Sequence, residues 1–205
     1  ISYLSTLAVT PDGQKVISGS MNKLICLWDL DGGTCLRTLK GHEDSVYLVV
    51  ISRDGRIAVS GSRDRTLRSW DLDSGKCLRT YKGHANNVNS ILITPDGQKV
   101  ISIDWDDELR VWDLKSARCL HTVKAKAHGL HSLAVTPDGR FAVSASEDKT
   151  LKVWDLQRGV EIHTLQGHKS EVRAVAVTPD GRFAISTSDD KTLKVWDLRR
   201  RVEIH

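Results

Sequence analysis

His42, Ser60 and Asp64 are the three side-chain types from which a serine hydrolase assembles its nucleophile. In such a site the imidazole takes the proton of one exposed serine and the carboxylate orients the imidazole. An oxyanion hole then receives the developing charge. The same types recur as His84, Ser102 and Asp106, and again as His168, Ser186 and Asp190. Trp70, Trp112 and Trp196 follow the three sets at one fixed spacing. Catalysis needs a single activated serine and gains nothing from three equivalent ones, so the recurrence argues for a role in the framework.

The elements that position these residues show the same period. Trp-Asp pairs at Trp28, Trp70, Trp112, Trp154 and Trp196 are separated by 42 residues. Turn aspartates Asp12, Asp54, Asp96, Asp138 and Asp180, each followed by Gly, keep that step, and all four prolines lie in these turns. His42, His84 and His168, each preceded by Gly, lie on the same grid. One unit contains four short runs, VYLVVIS, RIAVSGS, TLRSWDL and KCLRTYK, separated by RDG, RDR and DSG. Runs rich in Val, Ile, Leu and Thr between such turns predict strands, and none has helical periodicity. The first run is apolar nearly throughout and is expected to be buried on both faces; the last should be outer and half exposed. A four-stranded sheet cannot bury both faces alone. Radial stacking of five such sheets, an all-β propeller, is the expected fold.

Composition bounds the function. The chain has 205 residues, 40% hydrophobic and 27% charged, enough for one folded core and unlike a disordered segment. Its apolar runs are too short for a membrane span, and the N-terminus lacks the pattern of a signal peptide. Four cysteines point to a reducing, cytoplasmic setting. Cys35, Cys77 and Cys119 share one slot in different units, so no disulfide is expected among them. A net charge of +4 is weak support for nucleic acid, which steep salt dependence would reveal. His121, His128 and His131 could ligate zinc, but His121 shares its slot with His163 and His205, so no metal or other cofactor is expected. The sequence does not begin with Met and is expected to be part of a longer chain.

Gly-His, Pro-Asp-Gly and Trp-Asp in register resemble the WD-repeat proteins over the whole length. The wording of the repeats is similar to arrays at the C-terminal ends of large bacterial NTPase sensors. The resemblance implies a non-enzymatic scaffold for a protein or peptide partner. It also implies a structural tetrad in three units: His42, Ser60, Asp64 and Trp70; His84, Ser102, Asp106 and Trp112; His168, Ser186, Asp190 and Trp196. Trp would donate to Ser, Ser bond His, and His bond Asp. The fourth unit has Ala125-Lys126 at the Gly-His slot, with His128 two residues on as the substitute; in the first unit Asn22 replaces the turn Asp. The turn glycines Gly33, Gly75 and Gly159 become Ala117 and Arg201, where a left-handed backbone is less comfortable.

Blades are expected at about 1–42, 43–84, 85–126, 127–168 and 169–205. They would form either a five-bladed ring, closed by packing of the first blade on the last, or part of a larger ring. An incomplete ring would favour self-association. In the family, loops converge on one face of the disc. The positions implied there are Tyr3, Ser5 and Met21; Ser45, Tyr47 and Arg63; Asn87, Asn89 and Trp105; Gly129, His131 and Glu147; and Glu171, Arg173 and Asp189. Their character changes from unit to unit while framework slots repeat. Trp105 is the one tryptophan off the Trp-Asp grid. The resemblance and these types place a partner over the first three blades.

Overall fold

The computed structural model describes residues 3–125 and 129–204. His128 and His205 lie outside the described residues, so the expected replacement of the fourth histidine by His128 has no structural counterpart to compare. Within the described residues there is no helix, and twenty strands form five separate antiparallel sheets, each in simple a-b-c-d order.

The first sheet contains β1 (Leu4–Val9), β2 (Lys15–Ser20), β3 (Ile25–Asp29) and β4 (Cys35–Leu39). The second contains β5 (Val46–Ile51), β6 (Ile57–Ser62), β7 (Leu67–Asp71) and β8 (Cys77–Tyr81). The third contains β9 (Val88–Ile93), β10 (Lys99–Asp104), β11 (Glu108–Asp113) and β12 (Cys119–Lys124). The fourth contains β13 (Leu130–Val135), β14 (Phe141–Ser146), β15 (Thr150–Asp155) and β16 (Val160–Gln166). The fifth contains β17 (Val172–Val177), β18 (Phe183–Ser188), β19 (Leu193–Asp197) and the two-residue β20 (Val202–Glu203).

Turn chemistry sets the strand ends. In the a–b turn of the first sheet Thr10 Oγ1 donates to Asp12 Oδ1 at 2.6 Å and the Gln14 amide donates to the same oxygen at 3.0 Å. Gly13 takes the left-handed conformation the turn requires. The c–d turns need that conformation too. Gly33, Gly75 and Gly159 adopt it freely, and Ala117 (φ 58°) and Arg201 (φ 62°) are held in it.

The core consists of four contacts between neighbouring sheets. One face of a blade carries its b, c and d residues; the facing blade presents a, b and c residues. Thus Ile17, Ile25, Leu27 and Leu39 pack on Val46, Val49, Ala58, Trp70 and Leu72. Val59, Leu67 and Tyr81 meet Val88, Ile91, Val100 and Trp112. Ile101, Ile103, Leu109 and Val111 meet Leu130, Leu133, Ala142 and Trp154. Val143, Ala145, Leu151 and Val153 meet Val172, Val175, Ala184 and Trp196. Strand a lies innermost, with β1 against β5, β5 against β9, β9 against β13 and β13 against β17.

The series does not close on itself. Among the described residues no strand of the first blade packs on the fifth in this way. Leu7 is 69% exposed, whereas its counterparts Val49, Ile91, Leu133 and Val175 are all below 10%. Of the two architectures expected from the sequence, the structure has the arc and not the closed five-bladed ring.

Ala117→Gly is expected to raise stability by up to about 1 kcal/mol, because it removes the cost of a Cβ in a left-handed position and pays back part in unfolded-state entropy. Urea unfolding of the two chains measures it, and a less stable variant would show that the turn is unstrained.

Candidate functional site

The repeated polar group lies at the entry to strand a. His42 Nδ1 is 2.8 Å from Asp64 Oδ2, His42 Nε2 is 2.7 Å from Ser60 Oγ, and Trp70 Nε1 donates to Ser60 Oγ at 2.8 Å. The fifth blade repeats this with His168, Asp190, Ser186 and Trp196, each contact at 2.8 Å. Ser60 and Ser186 are fully buried and already bonded on both sides, so neither can meet a substrate. Burial alone would favour the neutral acid at Asp64. Hydrogen bonds from His42, Thr66 and the Glu43 amide outweigh it and hold the carboxyl well below the usual carboxylate range.

The third blade departs from the sequence expectation. His84 Nδ1 meets Asp104 Oδ2 at 2.9 Å, and Asp106, assigned to this role from the repeat, is exposed and accepts from Asn86 Nδ2 at 3.1 Å. His84 Nε2 to Ser102 Oγ and Trp112 Nε1 to Ser102 Oγ keep their places at 2.6 and 2.8 Å. Asp104 occupies the last position of strand b, a serine in every other unit (Ser20, Ser62, Ser146, Ser188). From there its carboxylate lies under the histidine and also accepts the Asp106 and Glu108 amides. That single departure in the serine column was the signal available in the sequence.

The fourth blade has no histidine among its described residues at this point. Trp154 still donates to Ser144 at 2.9 Å, and the turn carboxylate of Asp148 is met by the ammonium of Lys152 at 3.0 Å. Lys152 is itself buried. An ammonium therefore meets the turn carboxylate that an imidazole meets in blades two and five. The first blade keeps Trp28 to Ser18 at 2.8 Å, with its tryptophan only half buried.

Beside each polar group the ladder between strands a and b breaks in the same way. Leu4 pairs with Ser20 and Thr6 with Gly19, so Ser5 is skipped. Tyr47, Asn89, His131 and Arg173 are skipped identically in the other blades. A bulged residue is freed from the alternation of the strand, so its side chain can be re-aimed without disturbing the sheet. Next to it, the residue before the b–c turn donates its amide to the residue before strand a. Met21 bonds Tyr3 at 3.1 Å, Arg63 bonds Ser45 at 2.9 Å, Trp105 bonds Asn87 at 3.0 Å, Glu147 bonds Gly129 at 3.0 Å and Asp189 bonds Glu171 at 3.0 Å. In every blade this brings together three residues that the sequence reading grouped.

The two halves of this rim differ. Across blades four and five the rim is acidic, with three carboxylates around one arginine: His131 lies 3.1 Å from Glu147, and Arg173 contacts both Glu171 and Asp189 at 2.6 Å. His131, Glu147 and Glu171 are close enough to hold a cation, and the guanidinium of Arg173 already lies on Glu171. At the other possible ligand set, His84, Asp104 and Glu108, both histidine nitrogens are committed. Across blades one to three the rim is largely uncharged. Trp105 is 62% and Tyr3 72% exposed, with Met21 also exposed. Asn89 Nδ2 donates to the Leu130 carbonyl of the next blade at 2.8 Å, and Arg63 is exposed with no ion pair among the described residues.

Trp112→Ala, which empties a fully buried site between blades two and three, is expected to cost about 3–5 kcal/mol by urea unfolding. Trp28→Ala, with one side open, should cost less than half as much. Equal losses would mean that Trp28 is buried in solution. A second expectation concerns acid. Because the folded state lowers the Asp64 pKa, its stabilisation is complete above the unfolded value of about 3.9 and fades as pH falls through and below it. Asp64→Asn should therefore melt well below wild type at neutral pH, and the gap should begin to narrow as pH falls below about 4 and keep narrowing with further acid. A gap that does not narrow at all below about pH 4 would show that Asp64 acts through packing instead of charge.

The sequence profile described as WD domain, G-beta repeat matches residues 2–29, 33–71, 75–113, 117–155 and 159–197. With five matches covering most of its length, each ending on the aspartate of a Trp-Asp pair, the chain belongs to the WD40 repeat family.

Proposed function

We propose that this chain is a non-enzymatic recognition module that holds a protein or peptide partner on the rim of blades one to three, with Trp105 at the centre of the contact. WD40 repeats serve in general as scaffolds for protein interaction. The observation that carries the finer reading is the coincidence, in every blade, of a bulged residue with a pre-turn residue whose types change freely. The framework around them is constant. On blades one to three these slots hold Ser5, Met21, Tyr47, Arg63, Asn89 and Trp105, with the exposed Tyr3 beside them; Tyr, Trp and Arg are the types that dominate interface energetics. Nothing in the fold requires Trp105, which is exposed and off the grid. The rim of blades four and five is instead acidic, with Glu147, Glu171 and Asp189 around Arg173.

The test is capture of partners from a cell extract on the wild-type chain, followed by titration of the captured protein. Trp105→Ala is expected to weaken binding by about 2 kcal/mol or more, roughly thirtyfold, while leaving the melting temperature nearly unchanged. Unaltered affinity in Trp105→Ala and Arg63→Ala together would move the partner to another face.

A further inference from the structure

At the end of the blades opposite the rim, where the a–b and c–d turns lie, strand d of one blade sends side chains onto the c–d turn of the next. Arg37 lies over Gly75 and His121 over Gly159, each 3.0 Å or less from where a Cβ would stand. Between blades two and three, Arg79 Nε donates to the Lys115 carbonyl at 2.9 Å and the Tyr81 hydroxyl donates to the Leu114 carbonyl at 2.7 Å. The contact between blades four and five departs from this in two ways. Arg201 takes the glycine slot of the turn, where its Cβ leaves no room for a side chain lying as His121 does, and His163 Nε2 meets only the Arg201 carbonyl at 3.3 Å. Leu165 stands where blade two has Tyr81, with neither the reach of the ring nor its hydroxyl. A cavity of about 490 Å³ is found here. Phe141, Val153, Ile162 and Leu198 form its apolar part, and the exposed Arg199 and Arg201 stand beside them. The corresponding groove between blades two and three, of about 440 Å³, is lined by neither Ser69 nor Leu78, the counterparts of Val153 and Ile162.

We infer that this cavity binds a small organic anion, with an aliphatic body on Phe141, Val153, Ile162 and Leu198 and a carboxylate held by Arg199 and Arg201. Its size is that of small-molecule sites, which are mostly apolar with a few polar groups that fix orientation. A guanidinium is the side chain best shaped to grip a carboxylate with two parallel hydrogen bonds. Among the described residues neither Arg199 nor Arg201 has an ion pair, so both charges are available. The acidic groups nearby are committed. Asp138 Oδ1 accepts the Thr136 hydroxyl at 2.5 Å and the Arg140 amide at 3.0 Å, and Asp180 Oδ1 is held in the same way by Thr178 and Arg182. Asp197 accepts the Arg199 and Arg200 amides at 2.9 Å and faces Arg182 at 3.6 Å. Arg201 also keeps a left-handed backbone, with φ 62°, at a slot that glycine fills in three other blades. Strain of this kind collects at binding sites. Both walls belong to the contact between blades four and five, so neither the outer faces of the array nor the rim takes part.

The experiment titrates decanoate into the full chain by calorimetry, with decanol and inorganic phosphate as controls. Decanoate is expected to bind at one site with a Kd below about 1 mM. Decanol has the body without the charge, and phosphate the charge without the body. Each should bind at least about tenfold more weakly. Leu165→Tyr gives blade four the side chain that blade two already packs, and it fills the inner end of the cavity. Arg199→Gln combined with Arg201→Gly removes the charges and relaxes the turn. Each variant is expected to lose affinity for decanoate at least about tenfold, with a melting temperature no lower than that of wild type. Absence of saturable binding to the wild-type chain would overturn the inference. Decanol bound as tightly as decanoate would reduce the site to an apolar patch, and phosphate bound as tightly would reduce it to a plain anion site; either result overturns it. Unchanged affinity in a folded variant would place decanoate elsewhere. Should Leu165→Tyr fail to fold, the double arginine variant decides alone, and full affinity there overturns the inference.

Discussion

Everything in this molecule depends on the fact that a four-stranded sheet with two apolar faces is not a folded object. Each blade has a face built from strands b, c and d and another built from strands a, b and c, and each face is buried only by a neighbour. The tryptophan of strand c is the largest side chain in every contact, fully buried in the four blades that have a predecessor. Burial of one such ring contributes several kcal/mol, more than any single hydrogen bond in the structure. Stability in such an array is a sum over neighbour contacts, so the ends are necessarily weaker than the middle.

The polar group of histidine, serine, aspartate and tryptophan is secondary to that packing, and the structure shows why it tolerates substitution. Its task is to satisfy the indole N–H and to fix the loop entering strand a. The indole is satisfied by serine in all five blades, whatever happens to the histidine. The loop can be fixed by an imidazole on the turn aspartate or by an imidazole on Asp104; in the fourth blade the turn carboxylate of Asp148 is met by Lys152. What is retained is the pairing of a carboxylate with a donor in a partly buried place, where an unpaired one would be costly.

This explains which features could be read from the sequence. Strands, turns and the grid of framework residues were legible because they repeat, and a repeat averages away local ambiguity. Asp106 was misassigned for the same reason. A periodic reading gives every copy the same role, while the hydrogen bond goes to whichever carboxylate is nearer, here Asp104 at the buried end of β10. Lys152 was invisible because its slot holds Arg68, Arg110 and Lys194 in other blades, and only the missing histidine turns its ammonium to a new partner. The bulges at Tyr47 and its counterparts were not legible at all. They are a property of register between two strands, whereas residue types report on one strand at a time. The repeat leaves closure open between a five-bladed ring and part of a larger one, since every unit carries both contact faces.

The bulge also shows how one scaffold can serve different partners. In an ordinary strand a change of side chain alters either the core or the ladder. At Ser5, Tyr47, Asn89, His131 and Arg173 the residue is outside the ladder, and the backbone amide of the neighbouring pre-turn residue is held whatever its side chain. Changes at both slots therefore leave the ladder and the apolar core intact. Selection on binding can act there at little cost in stability, whereas the tryptophans and serines a few ångströms away cannot change without loss. The variability of the rim and the constancy of the framework are two results of the same arrangement: backbone bonds hold the chain in place so that side chains at the edge need not.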